Sequence, residues 1–160
     1  PVILMGVSPR PIRFVMDHRI FKTPIISFIF RHTRAIPIAP AKEDPAMMDQ
    51  AFAEVKKALD EGELVGIFPE GRITDTGELY PFRPGVSRIL ESNPVPVIPL
   101  ALQGLWGSFF SRKDGPAMSK PFRRGLFSKI AVVGAAPVPA EAASPEHLQE
   151  IVAALRGEWR

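Results

Sequence analysis

The sequence predicts an α/β domain with a mostly parallel central sheet flanked by helices. Three observations carry that expectation. Residues 64–68, Leu-Val-Gly-Ile-Phe, form a continuous apolar run of the kind buried on both faces in parallel sheets. An amphipathic helix pattern ends just before it. Short strand-like and helix-like segments then alternate along the chain. At 160 residues, 46% hydrophobic and 23% charged, the chain is long enough for one core and globular in composition. No internal repeat, low-complexity tract or linker divides it, so residues 1–160 read as a single domain.

The elements follow in order. The opening Pro-Val-Ile-Leu-Met-Gly is apolar, with no cap, turn or charged leader before it, and reads like the middle of an element. Residues 13–16 form a short apolar run after Pro-Arg-Pro and read as a strand. From His18 to Thr33 the apolar positions are helically spaced but broken by Pro24, which predicts a kinked or two-piece helix. Residues 35–38 read as a second strand, near an edge because Pro37 cannot donate to a ladder. Asp44 and Pro45 supply an N-cap and a proline at the first helical position. Met48, Ala51, Phe52, Val55 and Leu59 then share one helical face, and Gly62 is the natural stop. Residues 85–91 predict a short helix, 95–102 a second buried strand and 130–133 a further one. Ser144-Pro145 opens a last helix with Leu148, Ile151, Val152 and Leu155 on one face, closed by Gly157.

Composition excludes several chemistries. With no cysteine there is no disulfide framework, no thiolate nucleophile and no Cys-ligated zinc. The three histidines, His18, His32 and His147, leave little room for an all-His metal site. No apolar run approaches the ~18 residues of a membrane span. Gly-x-Ser-x-Gly, Walker and Gly-x-Gly-x-x-Gly patterns do not occur. The net charge of +3 hides two basic zones, 1–34 and 105–130, around an acidic middle. That distribution suits an anionic partner met by particular surfaces.

The stretch richest in chemistry is Phe68-Pro69-Glu70-Gly71-Arg72-Ile73-Thr74. It follows the best candidate strand, so it lies at a strand's carboxyl end, where open α/β sheets bind ligands. Proline and glycine around a glutamate impose a turn. If the residues after it are extended, Glu70, Arg72 and Thr74 share one face. A carboxylate, a guanidinium and a hydroxyl would then suit a ligand bearing phosphate and hydroxyl groups, with Arg72 as phosphate contact. The alternative is a surface turn with a local Glu/Arg pair.

Phe68-Pro69-Glu70-Gly71 resembles the third sequence block of the glycerophospholipid acyltransferase superfamily, the lysophosphatidic-acid-acyltransferase-like proteins. Residues 95–100, Val-Pro-Val-Ile-Pro-Leu, resemble the fourth block, and Arg34-Ala35-Ile36-Pro37-Ile38 sits where the second would be. The resemblance covers roughly residues 10–105. It implies a glycerol-3-phosphate-acyltransferase-like fold and a substrate-binding set of Phe68, Pro69, Glu70, Gly71, Arg72 and Thr74. The implied reaction moves a fatty acyl group from acyl-carrier protein or coenzyme A to the hydroxyl of lysophosphatidylethanolamine or lysophosphatidic acid, with no metal or redox cofactor. In the family a His-x-x-x-x-Asp block supplies the base and the group that orients it. Five residues beyond His18, His32 and His147 stand Thr23, Pro37 and Val152, so the block is absent. The expectation is that it lies upstream of Pro1 and that this chain alone binds but hardly transfers.

Two departures bear on the acceptor. The third block commonly continues Thr-Arg-Ser and here reads Arg72-Ile73-Thr74. The second commonly ends in an acidic-Arg pair and here continues Ala39-Pro40. Both resemble bacterial lysophospholipid acyltransferase domains fused to a transporter or an acyl-activating domain, so such a fusion is an expected partner.

In the second basic zone, Trp106, Phe109, Phe110, Phe122 and Phe127 interleave with Arg112, Lys113, Lys120, Arg123, Arg124 and Lys129. This mixture suits an anionic membrane surface, single-stranded nucleic acid, or a loop returning its aromatics to the core. The implied substrate class favours the membrane and no nucleic-acid partner. It also places the protein at the cytoplasmic face of the inner or plasma membrane, peripheral or tethered. The competing reading is a non-catalytic membrane-lipid-binding module. Asp17 and His18, as neighbours, are expected to point apart. His32 reads as a helix-end histidine and His147 as solvated.

Overall fold

A computed structural model describes residues 1–22, 24–108, 111–113 and 129–158, without the side chains of 22, 24–26 and 29. They form two units. The first comprises Pro1–Phe68 with Arg88–Asn93, the second Pro69–Ser87 with Pro94–Arg160.

The first unit opens with a six-residue helix α1 (Val2–Val7), which accounts for the apolar start. Strand β1 (Ile12–Asp17) follows, then a 3-10 turn (His18–Lys22) and helix α2 (Pro24–His32). The expected break falls at Pro24, because a proline inside the helix would remove a hydrogen bond and clash with the preceding turn. Helix α2 ends with Arg34 donating to the Arg31 carbonyl and Ala35 to the Phe30 carbonyl. This termination needs a left-handed residue, and Arg34, at φ 54°, takes that conformation without being glycine. Its carbonyl accepts from Arg13 Nε at 2.9 Å.

Strands β2 (Ile36–Ile38) and β3 (Leu64–Gly66) flank β1 in the order β2-β1-β3, all parallel. The lower half of β1 pairs with β3 and its upper half with β2, Phe14 lying opposite Gly66 and Val15 opposite Ile36. Pro37 is on an edge strand, as its missing N–H requires. The run 64–68 is only partly a strand. Its ladder stops at Gly66, and Phe68 is 37% exposed.

Helix α3 (Pro45–Asp60) covers this sheet. The Asp44 carboxylate accepts from Met47 N–H at 2.9 Å, and Pro45 takes the first position. At its end, bonds from Gly62 to Leu59 and from Glu63 to Ala58 close a glycine-terminated motif, with Gly62 at φ 74°. Ala51 and Val55 face Ile36 in the core, packed by Val15, Ile38, Leu59, Val65 and Ile89. Arg13 is buried on β1 and bridges Glu54 and Glu63 at 3.3 and 3.1 Å. This link ties strand to helix.

The second unit is built on an antiparallel pair, β4 (Leu100–Gln103) and β5 (Ala131–Gly134). One expectation is corrected here. Residues 95–102 are not one buried strand: Val97 makes an isolated bridge to Val138, the ladder begins at Leu100, and Ile98 is 55% exposed. Pro96 and Pro99 lack the N–H that a continuous ladder needs. The β4–β5 pairing is antiparallel, whereas both pairings of the three-stranded sheet are parallel, in keeping with the mostly parallel arrangement expected. A 3-10 turn (Ala140–Ala142) leads to α5 (Pro145–Arg156), capped by Ser144 Oγ accepting from His147 N–H at 3.2 Å. Gln103 Nε2 donates to the Leu155 and Arg156 carbonyls, fastening β4 to the end of α5. Helix α4 spans Gly85–Ser92.

Candidate functional site

Strand β3 hands the chain to the Phe-Pro-Glu-Gly turn. Phe68, in the first unit, stacks on the buried Phe14 ring with centroids 5.8 Å apart. Gly66 makes this possible, because a side chain there would occupy the space of the Phe14 ring.

In the second unit, Pro69 and Glu70 form a turn and Gly71 adopts φ 68°, a conformation that favours glycine. Residues 71–79 then make bends rather than a strand. The two-residue alternation invoked for Glu70, Arg72 and Thr74 therefore does not apply, and the three groups are placed differently. Thr74 Oγ1 accepts from the backbone N–H of Gly77 at 3.1 Å and of Thr76 at 3.3 Å, so it shapes its own loop. Hydroxyl side chains compete for nearby backbone donors in this way wherever no ladder claims them. Glu70 Oε2 accepts from the Tyr80 N–H at 2.8 Å, and Arg83 N–H donates to the Pro69 carbonyl at 2.9 Å. These two bonds close the excursion from 69 to 83. The Arg83 guanidinium lies against Gly71, where any Cβ would collide with it.

Arg72 takes a third position. Its guanidinium carbon sits 3.7 Å from the centroid of the Tyr80 ring. Among the described residues its N–H groups have no hydrogen-bond partner, and the side chain is exposed. The Tyr80 hydroxyl donates to Asp75. Glu70 and Arg72 thus meet at one residue, through its backbone and its ring.

The electrostatics follow from these contacts. Burial pushes the Glu70 carboxyl above its ordinary range, opposed by the Tyr80 N–H and the positive charge of Arg156. The Tyr80 hydroxyl holds the Asp75 carboxyl below its usual range, with Arg72 and Arg112 adding smaller effects, and Asp75 raises the Tyr80 phenol in return. The loop is anchored further by Arg156, which donates to the Gly77 carbonyl at 2.8 Å and pairs with Glu78 at 2.9 Å. Gln149 accepts from the Phe82 N–H at 2.9 Å. An arginine with unused donors, steadied on an aromatic face, can take a phosphate through two parallel bonds. Tyr80, Asp75, Arg83 and Arg156 were missed in the sequence, because nothing in its spacing shows that the excursion from 69 to 83 folds back on itself.

The histidines are placed as follows. His18 Nδ1 lies 3.6 Å from Asp17 Oδ1, so these neighbours do converge, at a strand-to-turn junction where neither strand nor helix geometry separates them. His32 packs its ring, tilted by 44°, against Phe28 and contacts the Phe28 carbonyl at the end of α2. His147 is half-exposed on α5. Among the described residues no cluster of three His, Asp or Glu could hold a metal ion, and no helix is long and apolar enough to cross a membrane. Of the aromatic-basic zone, Phe109, Phe110, Lys120, Phe122, Arg123, Arg124 and Phe127 lie outside the described residues. Trp106 packs its indole against Gly77.

The acyltransferase family profile matches residues 1–103. The chain belongs to the acyltransferase family. It is 30% identical over 100 residues to the 1-acyl-sn-glycerol-3-phosphate acyltransferase of Bacillus subtilis (strain 168), covering 62% of this chain and 47% of that protein. It is 28% identical over 92 residues to a chloroplastic 1-acyl-sn-glycerol-3-phosphate acyltransferase of Brassica napus, covering 58% and 26%. The crystal structure of the 1-acyl-sn-glycerophosphate acyltransferase PlsC from Thermotoga maritima matches with a TM-score of 0.63 at 19% identity, covering 88% of this chain and 53% of that one. At that identity the match shows the α/β acyltransferase fold. The chain spans about half the length or less of these relatives.

Proposed function

We propose that this domain serves a phospholipid acyltransferase and binds the lysophospholipid acceptor through the loop 69–83. The reaction transfers a fatty acyl group from acyl-carrier protein or coenzyme A to a free hydroxyl of the acceptor. The acceptor oxygen forms a bond to the thioester carbonyl carbon, the carbon–sulfur bond breaks, and the hydroxyl proton leaves with a base. The observation that carries the acceptor role is Arg72, exposed, with no hydrogen-bond partner among the described residues and a guanidinium steadied on Tyr80. It fits the phosphate common to lysophosphatidic acid and lysophosphatidylethanolamine. Glu70 closes the loop with one carboxylate oxygen and offers the other, while Phe68, Pro69 and Gly71 set the turn and Thr74 holds the bends. The names of the relatives support lysophosphatidic acid as an acceptor.

No His-x-x-x-x-Asp occurs within residues 1–160, so none of the described residues is assigned as the base. We further propose a peripheral site of action at the cytoplasmic face of a membrane. The +5 charge of residues 1–34 and the exposed Phe28, 65% accessible on α2, support it.

The test is Arg72→Ala in the product of the complete reading frame. Charge-assisted hydrogen bonds of about 1.5–3 kcal/mol convert to a roughly 10- to 150-fold rise in acceptor KM. An unchanged acceptor KM removes Arg72 from the site.

A further inference from the structure

The two acceptor-side groups, Glu70 and Arg72, are both organised by a residue that the sequence pattern does not single out. Tyr80 uses three different groups. Its N–H is accepted by Glu70, its ring carries the Arg72 guanidinium, and its hydroxyl is held by Asp75. Each fixes a different degree of freedom. The first sets the height of the loop on Glu70. The second restrains the long, rotamer-rich arginine against a flat face. The third anchors the outer end of the ring, so that its face stays beneath Arg72.

We infer that Tyr80 is the positioning residue of the acceptor site. It presents Arg72 with its guanidinium plane already oriented, so that the donor edge is free for an anionic phosphate. A guanidinium over an aromatic face keeps its N–H groups available in its own plane, which stacking leaves uncovered. The affinity gained is that of pre-organisation: an arginine ordered before the ligand arrives loses less freedom when it binds. Asp75 has a second effect. Its carboxylate stays ionised beside Tyr80 and Arg72, so the site holds an internal counter-charge before any phosphate is present. This inference rests on the assignment of Arg72 to the acceptor phosphate.

The experiment measures binding of a short-chain lysophosphatidic acid, kept monomeric, to the product of the complete reading frame by calorimetry. Five variants are compared with the parent: Arg72→Ala, Tyr80→Leu, Tyr80→Phe, Tyr80→Trp and the double Arg72→Ala/Tyr80→Leu. Loss of an exposed cation–π contact converts to about a two- to fivefold weaker Kd for Tyr80→Leu. Tyr80→Trp, which offers a larger face, should retain parental binding, and Tyr80→Phe should fall between, since it keeps the ring but loses the Asp75 anchor. The double variant should bind no worse than Arg72→Ala alone, because Tyr80 acts only through Arg72. If Tyr80→Leu does not fold, Tyr80→Met takes its place in the same comparison. Arg72→Ala weakened with Tyr80→Leu unchanged overturns the inference and leaves the acceptor assignment standing. An equal loss from Tyr80→Leu with and without Arg72 also overturns it, by showing a role independent of the arginine. Unchanged binding by Arg72→Ala overturns the acceptor assignment itself.

Discussion

At Gly66 the packing of β3 against β1 leaves no room for a side chain. A Cβ built there would lie 2.5 and 2.7 Å from two carbons of the Phe14 ring and 2.9 Å from Ile12 Cγ2. Unstrained carbon contacts are about 3.5–4.0 Å. Phe14 is 1% exposed and stacked on Phe68, so it has no solvent-facing direction in which to retreat. Overpacking of this kind costs about 1–3 kcal/mol, offset by about 0.4–1 kcal/mol because alanine restricts the unfolded chain. Gly66→Ala should therefore destabilise by about 1–2 kcal/mol, at about 2–4 °C of midpoint per kcal/mol for a chain of this size. Urea and thermal denaturation followed by circular dichroism would read it. The decisive control is Gly66→Ala in a Phe14→Leu background. There the methyl has room, and the added cost should shrink towards zero, a coupling of about 1 kcal/mol or more. A Gly66→Ala protein as stable as its parent, or a penalty that simply adds to that of Phe14→Leu, would refute the packing argument.

Two further predictions concern the loop and the main helix. Burial raises the Glu70 carboxyl above its unfolded value, so its charge costs stability at neutral pH, and this cost fades as pH falls through the folded pKa. Glu70→Gln still accepts from the Tyr80 N–H. It should be at least as stable as the parent at pH 7 and lose that advantage in acid, whereas Glu70→Ala should be less stable throughout. A glutamine variant as weak as the alanine one at pH 7 would contradict the burial argument. Asp44→Ala removes the carboxylate that caps α3 and should cost about 0.5–2 kcal/mol. A denaturation midpoint equal to the parent's would show that the cap is replaced by solvent.

Where structure is local, the sequence displays it. Asp44-Pro45 and Ser144-Pro145 begin helices and Gly62 and Gly157 end them, because capping depends on residues within one turn. Pro24 divides the 3-10 turn from α2 for the same reason. The apolar runs 64–68 and 95–102 are longer than the strands they contain. Apolar character persists through Phe68 and across Pro96 and Pro99, but ladder bonds depend on a partner strand that the run itself does not specify. The site was half-legible. Phe-Pro-Glu-Gly marks the turn through chemistry that adjacent residues share. Tyr80, ten residues on, closes the loop on Glu70 and supports Arg72 through contacts with no period in sequence. Arg34 in a left-handed helix end left no signal, since glycine or asparagine is the usual residue there.

The most direct test of the account is acyl transfer from a thioester donor to lysophosphatidic acid and to lysophosphatidylethanolamine, by the product of the complete reading frame beside its Arg72→Ala variant. The account predicts transfer to at least one acceptor, with the variant losing acceptor affinity and little kcat. A folded protein that transfers to neither acceptor, or transfers equally well without Arg72, would contradict it.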